Sequence, residues 1–231
     1  MRTTTSSRGV IDDEREREAG PGVVERLRAS QVTTLDELHA INGVPKESTR
    51  TKDTPFVTPL MAAYIARSPF FLIATANADG SCDVSPKGDP PGAVRVLDSR
   101  TIAIPDRLGN KRIDGFQNIV SNPHIGLIFI IPNDDETLRV NGRAFITKEP
   151  EFLESMTING RTPNLATIVE VDEAYMHCAR AFLRSGLWKP ETWPDAETIP
   201  TMAAIASEQK SLPPPDESAG KRIEEYRTTL Y

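Results

Sequence analysis

Short strand-like segments follow one another closely between Phe70 and Val171, and their spacing constrains the fold more than any other feature. Apolar, β-branched runs occur at 70–75, 93–97, 101–104, 125–131, 138–146 and 166–171. Most connections between them are shorter than the roughly dozen residues that a parallel crossover needs. The pattern therefore predicts a mainly β domain of antiparallel strands with flanking helices, typical of a small barrel.

The first run turns at Asn77-Ala78-Asp79-Gly80 and returns through residues 81–88. The Asp-Gly pair is a strong hairpin signal, because glycine accepts the positive φ of a tight turn. The return arm is too polar for a buried strand, and Pro86 removes a donor from the ladder. We expect Ser85 and Lys87 to lie at a rim that presents a hydroxyl and a cation to a ligand.

Helical patterns flank these strands. A weak pattern spans 21–48, with Thr34 and Glu37 spaced as a capping box, and a stronger helix is expected to begin at Thr58-Pro59. Further helices are predicted at 113–120, 150–157 and 172–185. The chain is thus divided into a polar and helical extension at 1–50, a barrel domain at 51–185 and an acidic, proline-rich extension at 186–231. The alternating acids and arginines at 12–18 favour a solvated arm.

Composition narrows the classes of function. A formal net charge of -6 and a pI near 5.2 argue against a general nucleic-acid binder, although a local cationic pocket remains compatible with them. No apolar segment has the length of a membrane span, and the first 18 residues lack the apolar core of a signal peptide.

The chain has two cysteines, Cys82 and Cys178, and no CxxC motif. This suits a reducing cytoplasm, although a disulfide between the two stays open. With three histidines and no HExxH spacing, no metal site is predicted.

The stretch 104–114, IPDRLGNKRID, is the strongest candidate for binding an anion. A strand ends at Pro105, a glycine-containing loop carries Arg107, Lys111 and Arg112, and a helix is expected to follow. Cationic side chains and free backbone N–H groups at a helix start favour an anion. A charged surface turn is the alternative for this stretch alone. The second cationic rim at 85–87 favours the anion site.

Near the end of the strand-rich region, His177 and Arg180 are expected one helical turn apart on one face. Taken alone, His177 suits a hydrogen-bonded structural role better than catalysis. A hydrolase with a His177–Cys178 pair is a weak alternative, because adjacent residues on a helix point about 100° apart.

Several motifs in order carry a resemblance to a known family. The segments ATANADGSCDVSPKGD, VRVLD, IPDRLGNKRID, SNPHIGLIF and ETLRVNGRA lie between Phe70 and Trp188. Together they resemble the pyridoxamine 5′-phosphate oxidase-like, FMN-binding split-barrel superfamily. This resemblance implies a six-stranded antiparallel split β-barrel that forms a homodimer, with FMN held at the subunit interface.

The resemblance also implies the residues that bind the cofactor. On the hairpin return these are Ser85 and Lys87, and the phosphate-binding loop supplies Arg107, Asn110, Lys111 and Arg112. The resemblance further places His177 and Arg180 near the flavin of the partner subunit. The chemistry of these residues is consistent with this assignment, because a dianionic phosphate favours charge-assisted donors at a strand-to-helix junction.

The expected activity is therefore that of an FMN-dependent oxidoreductase acting on a small-molecule substrate or electron donor. The arginine-rich C-terminal substrate motif of true pyridoxamine phosphate oxidases is not recognisable, so vitamin B6 oxidation does not follow. No catalytic proton donor emerges from the sequence. A non-catalytic module that binds flavin, F420 or haem is the alternative from another class, because fold alone does not settle function.

Overall fold

The computed structural model describes residues 22–213, 224, 226–228 and 230. The predicted solvated arm at 12–18 and residues 214–223 of the acidic, proline-rich extension lie outside the described residues. The chain divides into two compact units, one ending at Thr51 and the other beginning at Lys52.

In its described part, from Gly22 onward, the first unit contains three short helices, α1 (Gly22–Ala29), α2 (Leu35–Asn42) and α3 (Glu47–Arg50). The capping box that the sequence predicts at α2 is present in part: Thr34 caps the helix, but the Glu37 carboxylate reaches the N–H of Thr33 and not that of Thr34. The Thr34 hydroxyl accepts a hydrogen bond from the Glu37 N–H at 3.2 Å, and the Glu37 carboxylate accepts one from the Thr33 N–H at 3.2 Å. The first of these bonds satisfies one of the N–H groups that a helix start leaves without an intrahelical partner.

The second unit is built on one antiparallel sheet of seven strands, in the order β2-β1-β5-β6-β7-β4-β3. The strands are β1 (Phe70–Ala76), β2 (Cys82–Gly88), β3 (Arg95–Asp98), β4 (Thr101–Pro105), β5 (His124–Ile130), β6 (Thr137–Thr147) and β7 (Ala166–His177). The six apolar runs all form strands, and the polar return arm is the seventh. The prediction of a mainly β antiparallel fold is confirmed, with seven strands instead of six.

Further helices follow in this unit, and the sequence predicts those that begin at Pro59, Asp114 and Pro150 but not the one that begins at Met202. They are α4 (Pro59–Arg67), α5 (Asp114–Ser121) and α6 (Pro150–Ser155), followed by α7 (Arg180–Ser185) and α8 (Met202–Gln209). The Thr58 hydroxyl caps α4 by accepting from the Met61 N–H at 3.2 Å, with Pro59 in the first turn. None of the described helices is long and apolar enough to cross a membrane.

The sheet curls until its two ends share one core. Three strands separate β1 from β4 in the sheet, yet Phe71 and Ile73 of β1 belong to the same buried cluster as Ile102 and Ile104 of β4. Phe129 and Leu127 of β5 lie fully buried in that cluster. A flat sheet could not bring strands so far apart into contact, so the sheet closes on itself as a split barrel.

The edge position of β2 explains its polar sequence. Pro86 pairs with Leu72 of β1, and β2 has no partner on its other side within the described sheet. A proline is tolerated at an edge because the ladder needs no donor there. The prediction that this arm differs from a buried strand is therefore confirmed.

The predicted helix at 172–185 is wrong over its first half. Strand β7 continues to His177, which pairs with Thr137 of β6, and α7 begins only at Arg180. Ala174 and Met176 lie two residues apart, which is the period of a strand. His177 and Arg180 therefore do not share a helix face.

A bulge between Asn141 and Gly142 lets these long strands stay paired. A Cβ atom at Gly142 would lie 2.1 Å from the Glu170 carbonyl oxygen, so only glycine fits there without moving backbone.

Beyond α7 the chain stays in contact with the barrel domain. The Trp188 ring stacks on Phe182 with centroids 5.8 Å apart, and its Nε1 donates to the Asp134 carbonyl at 2.8 Å. Two 3-10 turns, Pro190–Thr192 and Ala196–Thr198, then lead to α8.

Candidate functional site

A cavity of about 690 Å³ lies between the β1–β2 hairpin and the loop that joins β4 to α5. One side, the strand wall, presents Asp83, Ser85 and Lys87 of β2. The other side, the loop wall, consists of residues 106–114. Apolar residues line the space between them, namely Phe71, Ile73, Val94, Ile104, Phe116 and Ile119. The cavity therefore has an apolar body and two polar walls, as cofactor pockets commonly do.

Strand geometry fixes the direction of the strand wall. Asp83, Ser85 and Lys87 are half-buried, whereas the residues between them are exposed on the opposite face. Their partners in β1 are Thr75, Ile73 and Phe71, which are buried and also line the cavity. The wall is thus acidic near the hairpin turn and cationic at the far end of the strand.

Arg107 is the most enclosed cation of the loop wall. Its Nε donates to the Asp89 carboxylate at 2.6 Å, and the two side chains are 14% and 7% exposed. One terminal nitrogen, Nη2, donates to the Met156 carbonyl at 3.1 Å. The other, Nη1, is buried and has no hydrogen-bond partner among the described residues. A buried guanidinium N–H without a partner costs free energy, so this atom suggests a ligand acceptor.

Asp106 lies where the two walls meet. Burial raises the pKa of its carboxyl above the ordinary value, and the charges of Lys87 and Arg107 act against that rise. Because desolvation is the larger effect, the ionised form of Asp106 is disfavoured. Lys87 and Arg107 thus belong to one electrostatic group at this end of the cavity, although they come from different walls.

The other end of the loop wall is held by local contacts. The Asn110 side-chain oxygen accepts from the Arg112 N–H at 2.9 Å, and the Arg112 guanidinium pairs with the Asp114 carboxylate. That hydrogen bond, followed by the charge of Asp114, raises the pKa of Arg112. Between them, Lys111 adopts a φ of 61°, a left-handed conformation that is unfavourable for a side chain other than glycine.

A small polar group forms the floor near the start of α5. The Asn118 side-chain amide donates to the Thr75 hydroxyl at 3.0 Å, and the Ser85 hydroxyl donates to Asp83 Oδ2 at 3.1 Å. Gly115 comes close to both, since a Cβ atom there would lie 3.8 Å from Thr75 Oγ1 and 4.0 Å from Asp83 Oδ2.

The structure brings together most of the residues that the sequence nominates. Ser85, Lys87, Arg107, Asn110, Lys111 and Arg112 all line the cavity. His177 and Arg180 do not line it. His177 ends β7 instead, and partial burial together with the charges of Arg139 and Lys52 lowers its pKa.

Sequence reasoning missed the acidic members of the site. Asp83, Asp89 and Asp106 line the cavity among the cations, as does Arg161 from the loop before β7. The two-residue spacing of Asp83, Ser85 and Lys87 is a signal that could have identified Asp83. No sequence signal connects Arg161 to the site, because only the fold brings its loop there.

The donor set suits a phosphate monoester. Lys87 and Lys111 have no ion pair within the part of the chain that the structure describes, and Arg107 holds an unused N–H. Charge-assisted hydrogen bonds from such groups are the strongest that a protein offers a phosphate. In the described ranges, no cluster of three or more His, Cys, Asp or Glu residues could hold a metal ion.

A model of a known protein family matches this sequence. The profile described as pyridoxamine 5′-phosphate oxidase matches residues 57–178, more than half of the chain and all of both cavity walls. A comparison of the sequence with curated proteins gives no match.

Three solved structures are similar to parts of this chain. HupZ from Group A Streptococcus is 21% identical with a TM-score of 0.42, and the match covers 51% of this chain and 91% of that one. An FMN-binding protein from Syntrophomonas wolfei is 10% identical with a TM-score of 0.41, covering 68% and 98% of the two chains. An F420 reductase is 18% identical with a TM-score of 0.37, covering 50% and 94%.

Proposed function

The chain belongs to the pyridoxamine 5′-phosphate oxidase family, and on that premise we propose that it is an FMN-dependent oxidoreductase. FMN would occupy the cavity between the strand wall and the loop wall. The cavity volume of about 690 Å³ lies within the range of about 300–1,000 Å³ typical of cofactor pockets.

The buried Nη1 of Arg107 carries this proposal. Arg107 is held in place by Asp89 and by the Met156 carbonyl, yet one donor stays unused beside an apolar cavity. A phosphate oxygen would satisfy that donor and would also attract the ammonium groups of Lys87 and Lys111. The Asn110 side-chain amide would add a neutral donor, and the Ser85 hydroxyl would add another once it exchanges its bond to Asp83. The apolar side chains Phe71, Ile73 and Phe116 would surround the less polar part of the ligand.

When bound, FMN would supply the redox chemistry through its isoalloxazine ring, whereas the protein would bind and orient it. The electron donor is proposed to be a small molecule.

A homodimer is part of the proposal. The outer face of β1, β2 and β5 exposes apolar side chains, with Val84 59% and Phe70 39% exposed. Val84 pairs with Ala74 and Phe70 pairs with Ile130, and Leu72 between them on the same strand face pairs with Pro86 and Ile128. A contiguous apolar face on a sheet favours burial against a second copy. His177 and Arg180 would then approach the cofactor of the partner subunit.

The test is direct. The purified full-length chain is expected to be yellow, or to quench the fluorescence of added FMN with a stoichiometry of one per chain, and to sediment as a dimer. Addition of NADH or NADPH should bleach the bound flavin. A protein that takes up no FMN at micromolar concentrations would refute the cofactor assignment.

A non-catalytic binding module is a second candidate, and the cavity lining favours it. Among the described residues, the lining contains no histidine, cysteine or tyrosine, which are common proton donors in flavin chemistry. This candidate predicts a tightly bound flavin, F420 or haem without turnover. The absorbance spectrum separates the three ligands, and a steady-state assay with NAD(P)H separates the module from the enzyme.

A further inference from the structure

The charges of the cavity are distributed unevenly along its length. At one end Lys87 and Arg107 lie near Asp106, and burial raises the pKa of the Asp106 carboxyl. At the other end Asp83 lies beside Gly115 at the start of α5. Four residues of strand, or about 13 Å, separate Lys87 from Asp83. The cavity therefore has available cationic donors at one end, on Lys87 and on Arg107 Nη1, whereas at the other end Arg112 is paired with Asp114 and the Asp83 carboxylate remains available.

Asp83 has acceptor capacity to spare. Within the described residues, its carboxylate is seen to accept one hydrogen bond, from the Ser85 hydroxyl at 3.1 Å. A carboxylate can accept about four. The charge of Asp83 acts on the Arg112 guanidinium, but that guanidinium is already paired with Asp114. Asp83 is also half-buried against the cavity and not extended into solvent.

The Asp83 carboxylate repels a phosphate group and can accept a hydrogen bond from a ligand donor. Repulsion between like charges is strong in a partly apolar cavity, so a phosphate would avoid the Asp83 end. The hydroxyl groups of a polyol chain or the N–H of a heterocyclic ring would instead find an acceptor there.

Resting on the proposed function, we propose that Asp83 is a specificity-determining residue that fixes the direction of the bound ligand. The ligand class is a phosphate ester that carries hydroxyl or N–H donors at the end far from its phosphate. The phosphate lies at Lys87 and Arg107, and the donors lie at Asp83.

The experiment compares Asp83→Asn with wild type for two probes, FMN and inorganic phosphate, in the full-length chain. FMN binding is followed by quenching of its fluorescence, and phosphate binding by its competition with FMN. Asp83→Asn should weaken FMN binding about 10-fold, because a charge-assisted hydrogen bond becomes a neutral one. The inhibition constant of phosphate should stay the same or fall by up to about 3-fold, because a negative charge is removed. Asp98→Asn, at an exposed acid of β3, is the matched control and should change neither value.

The outcomes separate the two proposals. If wild type binds no FMN, the proposed function fails and this inference with it. If wild type binds FMN and Asp83→Asn binds it equally or more tightly, only the direction of the ligand is refuted. Should Asp83→Asn fold poorly, Asp83→Glu serves instead. That variant keeps the charge but displaces it by one methylene, and it should retain FMN binding better than Asp83→Ala.

Discussion

The strand wall and the loop wall supply similar side chains to one cavity, but they are held by different interactions. The strand wall takes its geometry from backbone pairing, since each of its residues lies opposite a named partner in β1. The loop wall depends on side chains, namely the Arg107–Asp89 and Arg112–Asp114 pairs and the Asn110 turn. Substitutions on the strand wall should therefore alter binding, whereas several on the loop wall should alter folding as well.

The largest effect is expected at the buried ion pair of the loop wall. Arg107→Met removes the guanidinium that pairs with the buried Asp89 carboxylate, and loss of one partner of such a pair costs about 3 kcal/mol. Urea unfolding followed by circular dichroism measures the free energy of unfolding. Arg112→Met is the matched control, because its pair with Asp114 is exposed and should contribute little. An equal loss of unfolding free energy in the two variants would show that burial does not distinguish the Arg107–Asp89 pair from the Arg112–Asp114 pair.

The next effect is on binding alone. Lys87→Met keeps most of the apolar stem but removes the ammonium group, so FMN affinity should fall about 30-fold with little change in unfolding. Fluorescence titration measures the affinity. Lys87→Arg is the control, and it should retain most of the binding. If Lys87→Met destabilises the fold as much as Arg107→Met does, the contrast between the walls is lost.

Asp106, at the junction of the walls, makes stability depend on pH. Its pKa in the folded chain is raised by burial, so the folded state is fully favoured below the ordinary pKa of about 3.9 and loses stability as pH rises through the raised value. Asp106→Asn removes this loss. The variant should melt a few degrees above wild type at pH 7, and the two should converge near pH 4. Thermal melts between pH 4 and pH 7 test this prediction. A difference in melting temperature between the two proteins that did not depend on pH would contradict the role given to the Asp106 carboxyl.

The smallest effect is expected at Lys111, where stability and binding should change in opposite directions. Its left-handed φ of 61° favours glycine, so Lys111→Gly should raise the free energy of unfolding by about 0.5–1 kcal/mol. The same change removes a cation and should weaken FMN binding a few-fold. A variant that loses stability would show that the Lys111 side chain, and not its backbone, holds the loop.

The difference between the walls also explains how far the sequence predicts the structure. Alternation and turn chemistry locate the strands, the hairpin and the rim at Ser85 and Lys87, because these depend on neighbours in sequence. The helix predicted at 172–185 fails because pairing with β6, seen in the register of Thr137 with His177, overrides local propensity. The partners of Arg107, at Asp89 and Met156, are brought together only by the closed sheet.

The order of strands in the sheet has a consequence for biosynthesis. The two cavity walls lie close in sequence, but β4 is anchored to the sheet through β7, with Ile104 paired to Thr167. During translation the hairpin β1–β2 can form early, because its contacts are local. The loop wall cannot be fixed opposite it until about sixty further residues have left the ribosome. Nascent chains that end before β7 therefore lack the assembled cavity.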